Sequence, residues 1–218
     1  MIKPLTGSTS IGSAFNKGLQ IYKENFVLIF LGYLIACLVS GVTCGICSGP
    51  MMCGFIGILL SLLRNNNPKP QVSDLFNGFQ KFLPAFVTML AFGAISFVAQ
   101  IVNIIPILGQ LAAIVIACFI LPAVMLWALF FVQDQNATIG EAIVEPLKLV
   151  TQKPFWTVML VVFVAGLLGA VGCIACGIGV LFTMPLSFCM VAAAYEEVYG
   201  DSTQLDVPAA ATPAPPAL

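Results

Sequence analysis

Two cysteine pairs have a spacing that chemistry uses: Cys44-Gly-Ile-Cys47 and Cys173-Ile-Ala-Cys176. A Cys-x-x-Cys pair holds two thiols on one turn, and two such pairs supply the four thiolates of a tetrahedral zinc. In an oxidising compartment the same pairs close as disulfides instead. Dithiol redox chemistry is a third option, but it needs a thioredoxin-like setting that the surrounding sequence lacks. A plainer account stands beside all three. Both pairs lie in apolar, glycine-rich corners, where cysteine packs as a small hydrophobe. Corner packing leads, so no metal and no cofactor is expected. Cys44, Cys47, Cys173 and Cys176 are kept as weak metal candidates.

Three amides, Gln100, Asn103 and Gln110, concentrate the polarity of an otherwise apolar stretch and are the candidates for a small polar pocket. Amides at such positions more often bond between helices. Five lysines, Lys17, Lys23, Lys81, Lys148 and Lys153, fall on or beside segments with apolar residues at helical spacing. That pairing seats a helix in the headgroup layer and attracts anionic lipid, so these five are the lipid-headgroup candidates. Histidine is absent, which removes the usual proton shuttle. Without it, and without a carboxylate inside any apolar window, serine- or metallo-type hydrolysis is not expected. No catalytic residue is assigned, and the expected class is not an enzyme.

The elements that position these residues are set by composition. Of 218 residues, 60% are hydrophobic and 8% charged, with a mean hydropathy of +1.06. Soluble domains carry about 25% charged residues, so the chain is expected to be an integral membrane protein. A net charge of −1 gives no argument for a nucleic-acid partner. Three charge-free windows, Asn25 to Leu63, Phe82 to Gln133 and Pro154 to Tyr195, are each long enough for two crossings at about 20 residues per crossing. Each is broken by a corner, near 41–50, 103–109 and 172–178. The first window divides into helices at about 27–43 and 50–63. Gly32, Ala36 and Ser40 on one, and Gly49, Cys53 and Gly57 on the other, recur every four residues and favour close helix contact.

A surface segment precedes each window. Ile11, Phe15, Leu19 and Tyr22 form the apolar face of the first, behind an N-cap at Ser10. Val72, Leu75, Phe76, Phe79 and Phe82 form that of the second. Ile139, Ile143, Leu147 and Val150 form that of the third, opened by the capping box Thr138-Ile-Gly-Glu141. The plan is therefore an internal repeat: Ser10-Ile-Gly-Ser-Ala14 matches Thr138-Ile-Gly-Glu-Ala142. All eight Lys/Arg residues fall outside the windows. The positive-inside rule then puts both termini and all three surface helices in the cytoplasm.

The last window carries Cys176-Gly-Ile-Gly179, Thr183-Met-Pro185 and Ala192-Ala-Ala-Tyr195. It resembles the closing helix pair of a broad group of bacterial six-helix integral membrane proteins. That group includes YciC-like proteins and the membrane domain attached to some glycerophosphodiester phosphodiesterases. Gly45 to Gly54 and Asp74-Leu-Phe-Asn-Gly-Phe79 resemble its earlier signatures, so the likeness spans most of Ser10 to Tyr199. It implies a fold and a membrane address, with no established activity. The soluble phosphodiesterase domain has no counterpart here.

The reading is an all-α membrane protein of six transmembrane helices, arranged as three hairpins, each preceded by a cytoplasmic amphipathic interfacial helix. Residues 1–200 form one membrane domain with repeat units at about 10–64, 73–133 and 138–197. Residues 201–218 form a disordered Pro/Ala-rich tail. The expected role is non-enzymatic, in membrane organisation or lipid-linked envelope support at the inner (plasma) membrane. The alternative is a transporter or channel for a small neutral or lipid-like solute. The expected partners are the bilayer itself, anionic lipid or another membrane protein.

Overall fold

The computed structural model describes residues 10–66, 69–101, 121–149, 153–174 and 179–200. Among these residues the fold is all-helical. α1 (Ile11–Glu24), α2 (Phe26–Val42) and α3 (Ser48–Leu63) come first, then a 3₁₀ helix (Val72–Lys81) that runs into α4 (Phe82–Ile101). α5 (Leu121–Gln135), α6 (Ile139–Leu149), α7 (Lys153–Ile174) and α8 (Val180–Tyr199) complete it. The corner at 103–109 and the tail at 201–218 lie outside the described residues.

Local chemistry sets the boundaries. Ser10 caps α1 reciprocally: its hydroxyl accepts from the Ser13 N–H at 3.2 Å, and the Ser13 hydroxyl accepts from the Ser10 N–H. Asn25 leaves helical geometry at φ −124°, ψ 32°, and α1 and α2 meet there at 93°. The first corner turns where Cys44 and Gly45 take positive φ, 49° and 85°. Thr43 braces it, donating to the Val39 carbonyl at 2.8 Å and accepting from the Cys47 N–H at 3.3 Å. The second surface segment is a 3₁₀ helix, started by Asp74, whose carboxylate accepts from the Gln71 N–H at 2.7 Å.

α3, α5 and the second half of α8 form the core. Met51, Phe55, Ile56 and Leu59 of α3 are fully buried, as are Leu129, Phe130 and Phe131 of α5 and Cys189, Met190, Ala192 and Tyr195 of α8. Glycines bring backbones into contact around α3 and α8. A Cβ on Gly54 would overlap the Leu75 carbonyl, and one on Gly78 would overlap the Pro50 carbonyl, so the 3₁₀ helix lies directly on α3. A Cβ on Gly18 would stand 2.8 Å from the Met190 Cα, so α1 lies as closely on α8. α6 packs on α5. α7 and α8 run antiparallel, joined by the Ser187 hydroxyl on the Ala165 carbonyl (2.6 Å) and the Thr183 hydroxyl on the Gly169 carbonyl (3.3 Å).

Two features bear on the sequence expectation. The seated face of α1 is Ala14, Gly18 and Ile21. Ile11, Phe15 and Tyr22 only flank it. Close approach to α8 selects the smallest side chains for the contact line and pushes the large ones to its edges. Second, among the described residues two helices are long and apolar enough to cross a membrane, Val72–Phe97 and Val180–Tyr199. There are three if the bent pair α1–α2 counts as one. α2 and α3 have 17 and 16 residues. That gives about 24–26 Å at 1.5 Å per residue, short of a hydrocarbon core of about 30 Å.

Candidate functional site

The C-terminal ends of α3, α5 and α8 converge, and each delivers a charge. Arg64, at the C-cap of α3, donates from Nε to both carboxylate oxygens of Glu196 (3.0 and 3.1 Å) and from Nη2 to Glu196 Oε2 (2.9 Å). Its Nη1 donates to Asp134 Oδ1 at 2.6 Å. The other Asp134 oxygen accepts from the Tyr195 hydroxyl at 3.2 Å, and that hydroxyl accepts from Gln135 Nε2 at 3.0 Å. These groups are inside the protein: side-chain exposure is 24% for Arg64, 9% for Asp134 and 5% for Glu196. Burial alone pulls the Arg64 pKa down, but the hydrogen bonds and charges of Asp134 and Glu196 outweigh it and hold the guanidinium above its ordinary value. Lys81 completes the balance. Its ammonium donates to the Gln133 backbone carbonyl and lies near enough to Asp134 for their charges to interact. Two cations thus face two anions.

Aromatic rings close the cluster off from the core. Tyr195 stacks on Phe130 at 4.7 Å and on Tyr199 at 5.2 Å, with Trp127 edge-on at 5.5 Å. Beside it α1 makes its own contact. Glu197 receives the Lys17 ammonium at 2.9 Å and the Ser13 hydroxyl at 2.9 Å. Chemically this arrangement fixes helix ends. The guanidinium spans two carboxylates from two other helices, and the phenol orients the carboxylate that the guanidinium reaches with a single nitrogen.

The residues singled out from sequence are placed as follows. Cys44 is exposed and Cys47 half-buried at the N-cap of α3, both as free thiols. Cys176 and the side chain of Cys173 lie outside the described residues, as do Asn103, Gln110 and the side chain of Gln100. Of the lysines, Lys17 is held by Glu197 and Lys81 by the Gln133 carbonyl. Lys23 is exposed in the last turn of α1, and the side chains of Lys148 and Lys153 lie outside the described residues. The cluster of Arg64, Asp134 and Glu196 was not found by sequence reasoning. Its signal was there: two of the three apolar windows end on an acid, Asp134 and Glu196, and the remaining one ends on Arg64.

No family model, no curated protein and no solved structure matches this chain.

Proposed function

We propose that the chain is a non-enzymatic integral membrane module of the inner (plasma) membrane, serving membrane organisation or lipid-linked support of the envelope. The observation that carries this reading is the division of the surface. Val27, Leu38 and Val42 of α2, Leu83, Leu90 and Phe97 of α4, and Leu160 and Leu167 of α7 all stand exposed. Water disfavours so many large apolar side chains left open, whereas lipid accepts them. Arg64, Asp134 and Glu196, by contrast, gather where helices end and are turned on one another.

The finer architecture in this proposal is six crossings in three hairpins, with the charged end and both termini cytoplasmic. Packing supports a repeat of three units. The surface helix of each unit rests on the closing helix of another: the 3₁₀ helix on α3, α6 on α5, and α1 on α8. The short α2 and α3 are accommodated by local thinning of the bilayer. The resemblance to YciC-like and phosphodiesterase-attached membrane domains belongs to the same proposal and adds no activity.

The test is purified protein in sealed liposomes. Retention through alkaline carbonate washing is expected, without saturable flux of neutral solutes or lipid. Saturable flux would replace this reading with a transporter. For orientation, exposed Cys44 is expected to react with an impermeant maleimide only from the side opposite the termini; labelling from the cytoplasmic side alone would reverse the topology.

A further inference from the structure

A groove of about 320 Å³ opens between α5, α7 and α8. Pro122 and Leu126 line it from α5, Gly166 and Leu167 from α7, and Met184 and Phe188 from α8. The one hydroxyl in its wall, on Ser187, is already committed to the Ala165 and Thr183 carbonyls. What remains is an apolar slot in the size range of small-molecule sites, about 300–1,000 Å³. Its outer wall is open, because Gly166 and Leu167 are both exposed.

We propose that this groove binds one acyl chain of an anionic glycerophospholipid, an inference that rests on the membrane reading above. Depth supports the choice. Counting at 1.5 Å per residue, the groove lies about 12–18 Å from Asp134 on α5 and about 8–18 Å from Glu196 on α8. On α7 it lies about 14–21 Å from Lys153. The three helices therefore agree, and the distance is that of the acyl chains in the leaflet bordering the charged end, given a core of about 30 Å. Charge selects the headgroup. The antiparallel register that joins Ala165 to Ser187 and Gly169 to Thr183 brings the backbone of Lys153 level with that of Tyr199, on the charged-end side of the groove. A cationic residue at that register position, on the charged-end side of an apolar slot, matches a phosphate above a hydrocarbon chain.

The probe is native mass spectrometry of the intact chain from micelles holding equal amounts of phosphatidylglycerol and phosphatidylcholine. One retained phosphatidylglycerol per chain is expected. Gly166→Leu fills the slot, and the helix accepts it, since no atom lies within 4 Å of its Cβ. It should lower retention about tenfold, the scale of a few buried methylenes lost from the contact. Leu126→Trp, from the opposite wall, should do the same. Gly93→Leu on α4, where the Cβ position is equally open, should retain lipid like the parent chain. Lys153→Gln should reduce the preference for phosphatidylglycerol while leaving total lipid retained. Equal retention by the Gly166, Leu126 and Gly93 variants would overturn the groove, and equal uptake of the two lipids by the parent would overturn the headgroup assignment. A chain washed off liposomes by carbonate would instead sink the membrane reading itself.

Discussion

Arg64 offers Glu196 the edge of its guanidinium and keeps a separate nitrogen for Asp134. Lysine, a point charge on a flexible stem, cannot reproduce that fork. Removing the guanidinium leaves two buried carboxylates on one site with only Lys81 near Asp134 to balance them. Arg64→Gln is therefore expected to destabilise the fold by about 3–5 kcal/mol, read as a fall in the thermal midpoint of detergent-solubilised protein. Adding Asp134→Asn and Glu196→Gln to that background should recover most of the loss, because neutral amides need no countercharge. If the triple variant is no better than the single one, the cluster is not an electrostatic unit. Each member was legible as the charge that ends an apolar window. Their meeting was not, because nothing local joins positions 64, 134 and 196; only the packing of three helices does.

At the scale of elements, α1 shows how hydrophobic pattern and contact line diverge. Large side chains dominate a reading by hydrophobicity, and they pointed to Ile11, Phe15, Leu19 and Tyr22. The backbone of α8 instead admits Ala14 and Gly18. Gly18→Leu is expected to lift α1 from α8, seen as rapid amide exchange across Ile11–Glu24 with α3 still protected. Unchanged protection of α1 would mean that the contact at Met190 is not what seats it. The helix-start signals were easier to read, since they are local. Ser10 caps α1, and the Glu141 carboxylate accepts from the Thr138 N–H at 3.1 Å and hydroxyl at 2.9 Å. Those hydrogen bonds hold Glu141 below its ordinary pKa. A depressed carboxylate stabilises the start of α6 fully above its unfolded pKa, about 4.3, and loses that effect as pH falls through the lower folded value. Exchange at the first-turn amides of α6, corrected for intrinsic rate, should stay flat down to about pH 4.3 and rise only below it. Glu141→Gln should remove the pH dependence.

For the whole molecule, the long apolar windows made the helical class plain, and the first corner fell where glycine and cysteine placed it. The two helices of that window run 26–42 and 48–63, within two residues of the expected bounds. The number of crossings was less legible. Apolar length is visible in a sequence, but whether a run becomes a full span or a shorter buried helix depends on neighbours. α3, 16 residues long and nearly all buried, shows how far neighbours can cover an apolar run.

The contact of α1 with α8 also has a temporal side. Of the described helices α1 leaves the ribosome first and α8 last, so Gly18 has nothing to rest on until α8 has been made. The other two surface helices meet their supports early, because α3 and α5 are made just before them. A chain stopped at Gly179 should therefore leave α1 open to protease while the 3₁₀ helix on α3 remains protected. Equal protection of both would show that α1 has another seat. Joining residue 200 to residue 10 through a flexible linker, and opening the chain between 66 and 69, would reverse the delay. α1 would then follow α8 directly, and the 3₁₀ helix would become the segment that waits.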